Sequence, residues 1–109
     1  MENDQLYCDH IREAIANIYT FVAGLTYEQF VNDKKTYSAV LRELIVIGEA
    51  AKRLSEEFKQ SHDTIPWHDV SGFRDKAVHD YAELNAAYIW ETITRDLPLL
   101  ERELIDNTQ

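Results

Sequence analysis

The stretch Arg74-Asp75-Lys76-Ala77-Val78-His79-Asp80-Tyr81 puts a guanidinium, an imidazole and a phenol within eight residues. Those groups suit cleavage of an RNA phosphodiester. A 2′-hydroxyl attacking the adjacent phosphate needs a base for its proton, an acid for the departing 5′-oxygen, and positive charge beside the crowded phosphorus. Histidine serves either proton transfer near neutral pH. Arginine keeps its charge and offers a planar fork to phosphate oxygens. A single His79 cannot comfortably be acid and base at once. Two facing copies, with two His79 and two Arg74, make the simplest complete site, at or near a two-fold axis. Five residues on a helix are about 140° of rotation. Arg74 and His79 therefore do not share a face strictly, and the long arginine must swing toward a histidine near the helix end.

Taken alone, Arg-x-x-x-x-His-x-Tyr is a weak pattern with a plain structural alternative. Arg74 can pair with Asp69 or Asp80 on the surface, His79 can be a helix-terminal residue stabilised by the macrodipole, and Tyr81 can be a core aromatic. His-Asp occurs three times, at His62-Asp63, His68-Asp69 and His79-Asp80. Metal ligands on a helix usually stand three or four residues apart, and these pairs do not, so solvated surface pairs are the better reading. The chain has no Walker or dinucleotide fingerprint and no CxxC or HExxH. No cofactor is called for. Glu49, in the middle of a long helical run, either orients Arg74 or is an ordinary exposed acid. Lys52 and Arg53 are candidate phosphate contacts on what reads first as a solvated face. Tyr37, Trp67, Tyr88 and Trp90 read as core or interface aromatics rather than as platforms for bases.

The elements that must position these groups are helical. The 109 residues include only three Gly and two Pro, and no segment alternates with period two. Asp4 is the expected cap of a first helix running to about residue 23, with Leu6, Ile11, Ile15, Ile18, Tyr19 and Val22 on one face. Thr26 and Gln29 form a capping box for a short turn. Asp33 precedes a long helix over residues 34–59, striped by Tyr37, Val40, Leu41, Leu44, Ile45, Ile47, Ala51, Leu54 and Phe58. Gly48 inside it costs about 1 kcal/mol against Ala, which points to close helix packing beside Ala50 and Ala51. A polar connector over 60–66 leads to a turn at 67–70. Ser71 then caps a short helix that frays near Tyr81, and Asn85 caps a last helix that Pro98 should kink. The sum is an all-α, up-and-down four-helix bundle with a short extra helix, in one domain over 1–109.

Charge is the awkward feature. The net value is −9, whereas phosphate contacts need Lys and Arg. It is uneven: residues 1–33 hold one base and six acids (−5), 34–60 six and four (+2), 61–81 two and four (−2), and 82–109 two and six (−4). The net-basic segment is the long central helix. The lone Cys8 fits a reducing compartment. Glu2, Asn3 and Asp4 after Met1 are unlike a signal peptide, and no apolar run approaches a membrane span. The expectation is a soluble cytoplasmic protein.

Blocks along nearly the whole chain carry a resemblance. They are Tyr27-Glu28-Gln29-Phe30, Ile47-Gly48-Glu49-Ala50-Ala51, Pro66-Trp67, Gly72-Phe73-Arg74-Asp75, His79-Asp80-Tyr81, and Trp90 with Asp96-Leu97-Pro98-Leu99-Leu100. Together they resemble the HEPN superfamily and, within it, the HepT-like ribonuclease toxins. Arg74, Asp75, His79 and Tyr81 match that family's signature of Arg, a polar residue, and His-x-Tyr. The resemblance implies a homodimeric helical endoribonuclease, able to assemble further, in which Arg74 and His79 of both copies form one metal-independent site. It also implies a small nucleotidyltransferase antitoxin as partner, which transfers AMP from ATP to Tyr81. AMP there would add negative charge and bulk where RNA phosphate must sit. The competing reading is a non-catalytic helical module that binds a nucleotide, RNA or the transferase.

Overall fold

The computed structural model describes residues 2–80 and 85–107. Its elements are α1 (Glu2–Val22), α2 (Tyr27–Asn32), α3 (Lys34–Arg53), α4 (Glu56–Ser61), α5 (Trp67–His79), α6 (Ala86–Glu91), a π-helical turn (Thr92–Asp96) and α7 (Leu97–Asn107). The architecture is an all-α bundle, without strands among the described residues. None of its helices is long and apolar enough to cross a membrane.

α3 is the central post. It packs against α1 on one side and α5 on the other. Two-sided packing explains its pattern: Tyr37, Val40, Leu41, Leu44, Ile47, Gly48, Ala50 and Ala51 are all buried, a wider band than a one-faced helix needs. Cys8, Ile11, Ala14, Ile15 and Ile18 of α1, Val70, Phe73 and Ala77 of α5, and Leu97, Leu100 and Leu104 of α7 complete the same core. Leu6, expected on the inner stripe of α1, is instead 49% exposed, and Cys8 takes the inner position.

Three boundaries and one cap differ from the sequence expectation. α1 begins before Asp4, which is inside the helix rather than its cap. The Asp4 carboxylate accepts from the Ser55 backbone N–H at 2.9 Å and its hydroxyl at 2.7 Å. Burial works against the Asp4 charge, but these bonds outweigh it and hold the carboxyl below its ordinary value. The same contact ends the long helix at Arg53 rather than near residue 59. Leu54 turns extended, and Ser55 caps a separate α4 by accepting from the Phe58 N–H. Residues 67–79 form one continuous helix, with Pro66 at the N-cap and Ser71 within it; the turn and short helix expected there are a single element. Asn85 precedes α6 without a side-chain cap.

The capping box is present, with Thr26 accepting from the Gln29 N–H and the Gln29 side chain accepting from the Thr26 N–H. Pro98 leaves a trace one turn upstream. Proline cannot donate to the carbonyl four residues back and crowds it. The chain widens into the π-turn just before it, and the Leu97 N–H reaches back five residues to the Thr92 carbonyl.

Candidate active site

Arg74 lies where α3 and α5 come closest. A Cβ built on Gly48 would stand 2.6 Å from the Arg74 backbone nitrogen, 2.7 Å from the Arg74 Cβ and 3.0 Å from the Ser71 carbonyl oxygen. Only a glycine lets the two backbones approach this way. Its neighbour Glu49 sets Oε2 3.4 Å from Arg74 Nε, and Asp75 sets Oδ1 3.1 Å from Arg74 Nη1. The arginine side chain is 43% exposed between them. Exposed pairs of this kind contribute about 0–1 kcal/mol, so their consequence is direction: two carboxylates leave the guanidinium at the surface with a set orientation. The surface pairings of Arg74 with Asp69 or Asp80 weighed from sequence do not form.

Asp75 reports what else is near. The Arg74 hydrogen bond, then the charges of Lys52, Arg74 and His79, hold its carboxyl below the ordinary aspartate value. Lys52, on the last turn of α3, thus lies within electrostatic reach of the same patch. His79 is exposed and is the last residue of α5. Arg74 and Lys52 therefore place two cations along the α3–α5 seam, interrupted by Glu49 and Asp75, with His79 at the end of the same helix as Arg74. The expected modification site, Tyr81, lies outside the described residues.

Asp80 was missed as a functional candidate. It is 3% exposed, whereas the sequence placed it as a surface partner of Arg74. Its Oδ2 accepts from the hydroxyl of Tyr37, and its Oδ1 accepts from the Asn85 backbone N–H at 2.5 Å. No pattern within one helix could have shown a partner 43 residues away.

The other aromatics follow the core reading in varied ways. Trp90 packs on Phe30 with ring centroids 5.1 Å apart. Trp67 donates Nε1–H to the His62 carbonyl at 3.0 Å. Tyr88 lies under Lys76, whose Nζ is 5.4 Å from the ring centre. His62 stacks on Phe58 at 4.1 Å. Among the described residues, no three His, Cys, Asp or Glu gather as a metal-binding group. A groove between α5 and the π-turn is lined by His68, Asp69, Gly72, Phe73, Lys76, Tyr88 and Asp96. Burial, then Glu91 and Asp69, push the Asp96 carboxyl up.

The comparisons with known proteins converge. The family model described as Ribonuclease HepT-like matches residues 11–106. A chain of Caldanaerobacter subterraneus subsp. tengcongensis named "Putative RNase TTE0752" is 38% identical over 104 residues, covering 95% of this chain and 93% of the relative. One of Thermococcus cleftensis named "Probable ribonuclease HepT" is 40% identical over 95 residues, covering 87% and 86%. One of Methanocaldococcus jannaschii named "Putative RNase MJ0127" is 39% identical over 88 residues, covering 81% and 73%. No solved structure matches.

Proposed function

This chain belongs to the ribonuclease HepT-like family, and we propose that it is a metal-independent endoribonuclease toxin whose site is completed by a second copy of the chain. One observation carries the assignment of residues. Arg74 is aimed outward by Glu49 and Asp75 at the Gly48 contact, on the helix that ends in exposed His79.

The chemistry follows from those groups. With RNA laid over the α3–α5 seam, Arg74 neutralises the non-bridging oxygens of the scissile phosphate. His79 of one copy takes the proton of the 2′-hydroxyl as the O2′–P bond forms. His79 of the other copy gives a proton to O5′ as the P–O5′ bond breaks. The products are a 2′,3′-cyclic phosphate and a 5′-hydroxyl, and no electron or water is needed to balance the step. Arg74 gains most where charge gathers on the five-coordinate phosphorus, so its contribution falls on kcat. His79→Ala is expected to lower cleavage by at least about a hundredfold while circular dichroism and oligomeric state stay parental. Cleavage by His79→Ala at the parental rate would sink this mechanism, and strong inhibition by EDTA would sink its metal independence.

Regulation belongs to Tyr81, two residues after His79. A nucleotidyltransferase antitoxin would move AMP from ATP onto its phenolic oxygen, releasing pyrophosphate, and the added phosphodiester charge would oppose RNA at the same patch. Incubation with the transferase and ATP should raise the intact mass by AMP-sized steps. Increments that persist in Tyr81→Phe would move the modification elsewhere.

A further inference from the structure

We infer that Asp80 and Tyr37 are positioning residues for His79, a role that rests on the ribonuclease reading above. Among the described residues, no hydrogen bond holds the His79 imidazole, so its location is inherited from the backbone at the end of α5. That end is where Asp80 stands. It is the C-cap of α5, with its own N–H donating to the Ala77 carbonyl. Adjacent Cα atoms are about 3.8 Å apart, so whatever fixes Asp80 fixes the root of His79.

Three elements meet at this one carboxylate. Oδ2 takes the hydroxyl of Tyr37 from α3, and Oδ1 takes the backbone N–H of Asn85, the N-cap of α6. The Tyr37 side of the clamp is itself braced. Its ring is 2% exposed, and its centroid is 4.9 Å from that of Phe30, which in turn packs on Trp90 of α6. The phenol thus reaches the clamp from a rigid aromatic stack. Its hydroxyl is a single polar atom delivered to the catalytic helix end from the opposite side of the bundle seam.

The residue types fit the task. A carboxylate has acceptors only and can serve two donors at once. Asparagine offers one acceptor oxygen and would turn its NH2 toward the second donor. Leucine or alanine would remove both acceptors and with them the link between the three elements.

The experiment uses the full chain as parent, Tyr37→Phe, Asp80→Asn and the double variant. Tyr37→Phe keeps the ring and its packing and removes one oxygen, so it remains informative if Asp80→Asn folds poorly. Misplacing a reacting group by about 1 Å can cost up to a hundredfold in rate. Tyr37→Phe is expected to lower kcat for RNA about tenfold with KM within about twofold. Asp80→Asn should lose as much or more, and the double variant less than the product of the single losses, because the hydroxyl acts through the carboxylate. In histidine-selective NMR, the His79 ring signals should shift or broaden in Tyr37→Phe while those of His10, His62 and His68 stay in place. Parental kcat with an unmoved His79 signal, or a loss confined to KM, overturns the inference. A parent chain that does not cleave RNA overturns the ribonuclease reading instead, and the NMR comparison still decides whether the clamp holds His79.

Discussion

At the scale of single residues, the site shows how charge is oriented without being buried. Arg74 is flanked by two half-exposed carboxylates, of which Asp75 has its carboxyl held low by the Arg74 hydrogen bond first and by the fields of Lys52, Arg74 and His79 after it. A carboxyl depressed in the folded state contributes stability that is present above its unfolded value and is lost as pH falls through the folded one. Asp75→Asn removes that contribution and its pH dependence. The variant's Tm should therefore lose less than the parent's between about pH 5 and pH 2. Thermal unfolding at a series of pH values checks this, and parallel curves for the two proteins would show that the Arg74–Asp75 bond carries no stability in solution. The pattern from Arg74 to Tyr81 stood out in the sequence because it is local. Asp80 did not: three His-Asp dipeptides look alike on paper, and only the approach of Tyr37 from α3 separates the buried one from the two others.

At the scale of elements, the decisive contact is Gly48 against Arg74. Gly48→Ala adds one methyl group and sets two effects against each other. Alanine favours a helix interior by about 1 kcal/mol over glycine. The new Cβ, however, would stand 2.6 Å from the Arg74 nitrogen, and that nitrogen is backbone, so α5 must move as a unit. Overpacking of this kind costs about 1–3 kcal/mol, and since the clash is with main chain the upper part of that range applies. The expected net is a Tm fall on the order of 5–10 °C, together with a lowered kcat because Arg74 and His79 ride on the displaced helix. A Tm equal to or above the parent's would mean that helix propensity wins and the seam is soft. The sequence showed Gly48 as a cost with a packing explanation, but not which residue it met. The helix ends were less legible still. The apolar stripe runs on through Leu54 and Phe58 without a break, and the stop at Arg53 depends on the Asp4–Ser55 bonds from a helix 51 residues earlier. Ser71 looked like a cap because serine caps helices, yet the chain was already helical from Trp67.

At the scale of the whole molecule, the proposed chemistry must work on a protein whose net charge is −9 and whose longest dimension is 41 Å. The two facts are reconciled by screening. In salt of about 0.01 M the Debye length is about 30 Å, so an approaching RNA feels most of the acids at once and is repelled. At about 0.15 M the length is about 8 Å, and a phosphate near the α3–α5 seam feels mainly Arg74, Lys52 and the two carboxylates beside them. RNA cleavage should therefore be unusual in losing rate at the lowest salt, where a nuclease of basic net charge gains it. Glu13 on α1 and Asp63 after α4 are exposed and belong to neither of the helices forming the seam. Glu13→Lys together with Asp63→Lys takes the net charge from −9 to −5, each reversal adding two. The double variant should cleave on the order of threefold to tenfold faster per RNA encounter at about 0.01 M salt and no faster at about 0.15 M. Lys52→Ala should slow cleavage at both, because its charge already acts on Asp75 beside Arg74. Measuring kcat/KM for the three proteins across this salt range separates the two contributions. An equal gain for the reversal variant at every ionic strength would place Glu13 or Asp63 in direct contact with RNA, and the binding surface would then have to extend beyond the α3–α5 seam.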